Sequence, residues 1–122
     1  GGFAIPNLKT AQEFTKTQNF NATTLSDAST IAWDASSNQV AKVTLGGNRT
    51  LGAATNQVDG AVYVLTVIQD GTGGRTLSFN ANYKFTGGSA PTLTTTASAT
   101  DVIVFLSNGS NMLEIGRSLN VS

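Results

Sequence analysis

The chain has 122 residues, a length that suits one domain with its own core, and its seven basic and seven acidic residues leave no net charge. That balance offers no basic field to hold nucleic acid, and no run of like charges marks an interaction tail. Cysteine and histidine are absent, which removes disulfides, thiolate chemistry, the usual zinc ligand and the usual general base near neutral pH.

Charged residues make up 11% of the chain, against about 25% in ordinary soluble domains. Polarity comes instead from Ser, Thr and Asn. Thr, Val and Ile fit pleated sheets, and Gly and Asn fit turns. The composition therefore predicts an all-β fold. No apolar run approaches the roughly 18 residues of a membrane-spanning helix, so no membrane insertion is expected.

In chain order, residues 1–16 lack the apolar centre of a signal peptide, because Pro6, Asn7, Lys9 and Glu13 interrupt it. The opening Gly-Gly, without methionine, reads as a trimmed product or an excised piece. Residues 7–18 are the only stretch with helical character, with Leu8, Ala11 and Phe14 three apart. A helix this short is marginal alone. A short N-terminal helix and an extended arm both fit residues 1–18.

Strand and turn then alternate. Strands are predicted at 19–25, at 30–33 with Ile31 and Trp33 on one face, at 40–45, from Arg49, at 61–70, at 75–79, at 83–85, at "TLTTT" (92–96), at 101–107 and at 112–119. Asn108-Gly109 between the last two is a strong hairpin signal, expected as a type I′ turn. Short strands at this even spacing predict a single antiparallel β-sandwich, jelly-roll-like, over residues 19–122.

Two strands depart from simple alternation. Ala61, Tyr63, Leu65 and Val67 face one way, while Val62, Val64, Thr66 and Ile68 face the other. Residues 102–106 repeat this, with Val102, Val104 and Leu106 opposite Ile103 and Phe105. One sheet face of a two-layer fold meets the core, so the other needs different cover. Val62, Val64, Ile68, Ile103 and Phe105 are therefore the expected contacts with another copy of the chain. Residues 1–18 are the competing cover.

The stretch "DGTGGRTLSF" (70–79) asks whether phosphate is bound. A P-loop needs G-x-x-x-x-G-K-[ST] leading into a helix whose amides meet the anion. Here Gly71 to Gly74 is too short, Arg75 replaces lysine, and Thr76–Phe79 continue as a strand. A hairpin turn is expected. Carboxylate pairs could cleave glycosides without histidine. Asp27, Asp34, Asp59, Asp70 and Asp101 sit in turn-like settings and Glu114 in a strand, so no catalytic residue is assigned. No D-x-D-x-D-G spacing supports calcium, and no metal or cofactor is expected. The sequons at Asn21, Asn48, Asn108 and Asn120 follow from a chain rich in Asn, Ser and Thr. Trp33 and Tyr63 read as core. Tyr83 and Phe85 flank a Gly-rich loop and are the candidate stacking residues for a sugar.

Three ordered blocks carry a family resemblance: "VTLGGNRTL" (43–51), "QDGTGGRTLSF" (69–79) and "DVIVFLSNGSN" (101–111). From about residue 17 to the C-terminus the chain resembles a β-rich module of bacteriophage tail fibre and other virion structural proteins. The resemblance implies a non-enzymatic module at the outer end of a fibre or spike. It implies a virion location, a homotrimer, contacts with other virion proteins and a bacterial cell-surface glycan as a candidate receptor. It brings no catalytic motif. A head-decoration or head-fibre protein and a stand-alone carbohydrate-binding module are the alternatives.

Overall fold

The computed structural model describes residues 20–121, so the predicted arm or helix of residues 1–18 lies outside the described residues. The elements are β1 (Ala22–Thr24), β2 (Thr30–Ile31), β3 (Val40–Leu45), β4 (Arg49–Leu51), β5 (Val62–Gln69), β6 (Leu77–Phe79), β7 (Tyr83–Lys84), β8 (Thr100–Ser107) and β9 (Met112–Ser118). A single 3-10 turn at Thr86–Gly88 is the only helical element among the described residues. Every strand but "TLTTT" falls where the sequence placed one. That stretch is irregular, with Leu93 buried and the Thr94 N–H donating to the Asp101 carboxylate.

The strands form a six-stranded sheet in the order β1-β3-β5-β8-β9-β7 and a three-stranded sheet in the order β2-β4-β6. From β1 to β6 the chain alternates between the two sheets, making three successive coils. Strands of one sheet therefore stack in parallel, with Thr23, Ala41 and Leu65 in one register row and Ile31, Leu51 and Phe79 in another. Only β5–β8 and β8–β9 pair antiparallel; β7 joins β9 in parallel.

The expectation of an antiparallel, jelly-roll-like sandwich is thus corrected to an all-β fold with mixed sheets. The physical reason is local. A turn that sends the chain back along its own sheet and one that carries it across to the opposite sheet need the same Gly, Asn and Asp residues. Residues 46–48 and 70–76 both cross over, so the stretch 70–76 is not a hairpin turn. The β8–β9 connection is a true hairpin, but not type I′. Ser107 pairs with Met112 across a four-residue loop, and Gly109 has positive φ while Asn108 does not. The Asn108 side chain accepts hydrogen bonds from the N–H groups of Ser110 and Asn111 instead.

Both sheets contribute to one core. The larger supplies Ala41, Val43, Leu45, Leu65, Val67, Ile103, Phe105 and Met112, and the smaller supplies Ile31, Leu51 and Leu77. Trp33 sits among Tyr63, Tyr83 and Phe105 with ring centroids 6.0–6.3 Å away. Each buried polar handle has a partner, as buried Tyr and Trp require. Trp33 Nε1 donates to the Asn38 carbonyl at 2.8 Å, the Tyr83 hydroxyl donates to the Gly52 carbonyl at 2.7 Å, and the Tyr63 hydroxyl accepts from the Val58 N–H at 2.9 Å.

Candidate functional site

The outer face of the six-stranded sheet is the most unusual surface of the described residues. Antiparallel register sets Val64 against Val104 and Val62 against Leu106, while parallel register sets Val40 beside Val64. On the far side Leu106 meets Leu113. Directly opposed side chains lie about 4.5–5.5 Å apart at Cβ, so these residues form one continuous aliphatic patch. Val62 is 42% exposed at one end. A β-bulge between Val104 and Phe105 pushes Ile115 outward, where it is 56% exposed.

Three of the five predicted interface residues, Val62, Val64 and Ile68, lie on this face. Ile103 and Phe105 do not. Both are fully buried on the inner face, against Leu65 and Tyr63. Their place is corrected by register, because cross-strand partners share a side of the sheet. Tyr63–Phe105 and Leu65–Ile103 are partners, so the odd-numbered residues of both strands point inward. Val102, Val104 and Leu106 take the outer positions.

The aromatic pair proposed for sugar stacking is also placed by packing. Tyr83 is buried and stacks on Trp33 with an interplanar angle of 12°. Burial pushes its phenol above the ordinary range. Phe85 is half-buried and packs edge-on against Phe79 at 4.8 Å. Neither Tyr83 face is free to receive a ring. Trp33 and Tyr63 are core, as the sequence reading has it.

Most of the carboxylates are ties between segments. Asp27 binds the Arg49 guanidinium at 2.7 and 3.0 Å and also accepts from the Gly46 N–H, and the Arg49 contact holds its carboxyl below the usual range. Asp34 accepts from Ser36 and Asn56, with the Ser36 hydroxyl the main cause of its lowered pKa. Asp70 is brought down to about 2, chiefly by Arg75 and then by the Gly73 N–H. Burial works against the charge of Glu114, yet Arg117 and the Thr86 N–H hold its pKa low. Among the described residues no group of three metal-type side chains comes together.

The sequence reading missed two buried polar clamps. Gln69 ends β5 on its inward face. Its amide donates to the Arg75 carbonyl at 2.8 Å and accepts from the Arg75 N–H at 2.9 Å, replacing a strand partner for the crossing loop. Asp101 accepts from the Thr94 and Asn120 N–H groups, both at 2.7 Å. The available signal was position: each is a polar residue at an inward site of an otherwise apolar strand. Between the segments they brace, 75–77 and 91–95, lies a groove of about 190 Å³.

The sequence matches the family model described as "Putative phage tail fibre C-terminal domain" over residues 28–112. No curated protein and no solved structure matches the chain. The matched span runs from the turn before β2 to the start of β9 and takes in most of both sheets. The chain therefore belongs to the phage tail fibre C-terminal domain family, a structural family, and is a component of a phage virion.

Proposed function

We propose that this tail fibre module assembles as a homotrimer through the outer face of its six-stranded sheet. In this reading it sits where the fibre meets the host surface, joined to other virion proteins, with a bacterial cell-surface glycan as its receptor. It is made and assembled in the cytoplasm of the bacterial host. It binds and positions; it does not cleave.

The observation that carries the trimer is the aliphatic patch of Val40, Val62, Val64, Val104, Leu106 and Leu113. Val62 is exposed and the other five are half-buried, so covering them gains a part of the roughly 1.5–3 kcal/mol that full burial of such a side chain is worth. Contiguous apolar patches of this kind mark interaction sites. The number three follows from the resemblance to fibre proteins, which are commonly trimers. The β-sandwich description, with two sheets over one core, fits a module stacked about a fibre axis.

Light scattering tests this directly. The full chain is expected at three times the monomer mass at micromolar concentration, and Val64→Asp at the monomer mass with its fold intact. A monomeric full chain sinks the trimer. If a chain starting at Asn19 becomes oligomeric while the full chain stays monomeric, the cover on this face is residues 1–18.

A further inference from the structure

We infer that the groove between residues 75–77 and 91–95 is a binding site for one neutral sugar ring. The inference rests on the host-facing reading above for its biological partner, but not on the trimer.

Size comes first. At about 190 Å³, the groove is smaller than the roughly 300–1,000 Å³ that takes a drug-sized ligand. It suits a single ring. Its character is two-sided, as a sugar is. Leu77, Pro91 and Leu93 are buried and form an apolar floor for the C–H face of a ring. Thr76, Thr92 and Thr95 are exposed around it, and their hydroxyls can both donate and accept.

Charge selects a neutral ligand over an anion. Arg75 lines the groove, but its Nη2 and Nε contact the Asp70 carboxylate at 2.9 and 3.3 Å, so the pair's charges cancel. Nη1 carries no hydrogen bond among the described residues and can donate to a sugar hydroxyl. No carboxylate lines the groove: Asp70 is spent on Arg75, Thr72 and Gly73, and Asp101 on the Thr94 and Asn120 N–H groups. Glycoside cleavage uses two carboxyl groups, so the sugar is held intact.

The walls are set before any ligand arrives. Gln69 fixes the backbone of Arg75 from the core, and Asp101 fixes Thr94. The Gly74 N–H donates to the Thr95 carbonyl at 2.8 Å, joining the two walls. Gly73 makes this approach possible. A Cβ there would stand 2.6 Å from the Thr95 carbonyl oxygen. A preformed site avoids much of the ordering cost of binding. A single ring with few polar contacts should bind with a dissociation constant on the order of millimolar, and three copies on one fibre would multiply it by avidity.

The test is an amide-resolved NMR titration of the full chain with glucose, galactose, mannose and N-acetylglucosamine, with inorganic sulfate as the charged control. The expected result is saturable shifts at Thr76, Leu77, Thr92 and Thr95 with at least one sugar and none with sulfate. Thr92→Phe should fill the groove and weaken that sugar at least tenfold without changing Tm; Thr95→Phe does the same from the other end if the first variant fails to fold. Shifts confined to other residues, or unchanged in both filled variants, overturn the site. So does the absence of shifts with every sugar at concentrations on the order of 100 mM, well above a millimolar dissociation constant. Sulfate competing at the same amides also overturns it, by making this an anion site. Adsorption of the purified protein to bacterial cells separates the two readings. Adsorption that survives both fillings rejects the groove as the site of attachment and keeps the host-facing role. Sugar binding without adsorption keeps the groove and rejects that role.

Discussion

The two faces of the six-stranded sheet are made from similar residues and have different occupants. On β5 the inner face carries Tyr63, Leu65 and Val67, and the outer face carries Val62, Val64 and Ile68. The inner face meets the aromatic cluster and the short strands β2, β4 and β6, so every large side chain there has neighbours on all sides. The outer face is aliphatic and Thr-rich, is flanked by Lys42 on β3, and meets no second layer among the described residues. The difference lies in shape rather than hydrophobicity. Aromatic rings, whose polar atoms need buried partners, collect inside. Small branched side chains that tile a flat sheet collect outside. Summed hydrophobicity would rank the faces alike; side-chain volume separates them.

The strongest way to break this contrast is on the inner side. Phe105→Ala removes a fully buried ring between Tyr83 and Phe85. It should cost about 3–5 kcal/mol of stability in chemical denaturation. A loss below about 1 kcal/mol would mean the inner face is not close-packed. Gly73→Ala is the next largest. Gly73 has φ of 75° and its Cβ would meet Thr95 and Ala97 backbone atoms. Strain of this kind costs about 1–3 kcal/mol, and the clash adds to it. An unchanged denaturation midpoint would refute the close approach.

On the outer side, Val104→Thr should change the stability of the isolated chain by no more than about 0.5 kcal/mol. The same change should shift the oligomer toward monomer in analytical ultracentrifugation. A large loss of monomer stability would assign the outer face to the chain's own core.

The smallest effect is electrostatic. Asp70 has a folded pKa of about 2, below its ordinary value of 3.8. The folded state therefore binds this proton less readily than the unfolded state. Its contribution is fully present above the ordinary value and is lost as pH falls from 3.8 toward about 2. Asp27, Asp34 and Glu114 shift the same way. Tm should fall across this acid window, and Asp70→Asn should flatten part of the fall. A Tm that rises on acidification would contradict the direction of all four shifts.

Strand positions were legible because period-two patterns and turn residues are local. The prediction of a strand at 40–45 matches β3 residue for residue, and Trp33 and Tyr63 were readable as core from their neighbours Ile31 and Leu65. Ile103 and Phe105 were misplaced because the two sides of β8 are equally apolar, and only the pairing of Leu65 with Ile103 decides which is inner. Tyr83 was misread for a similar reason. A ring beside a Gly-rich loop looks available until Trp33 is found lying across it.

By itself the sequence determined that the chain is all-β, where its strands lie and which virion family it joins. These follow from composition, from alternation over a few residues and from ordered blocks, all of which are local. Only the tertiary structure decided that β1, β3 and β5 stack in parallel, that each connection from β1 to β6 crosses between sheets, and which faces of β5 and β8 look outward. Those features depend on pairings between residues 18 to 44 positions apart. A turn's residues specify its local bend, whereas the sheet the next strand joins is settled by which apolar faces fit together around Trp33 and Phe105.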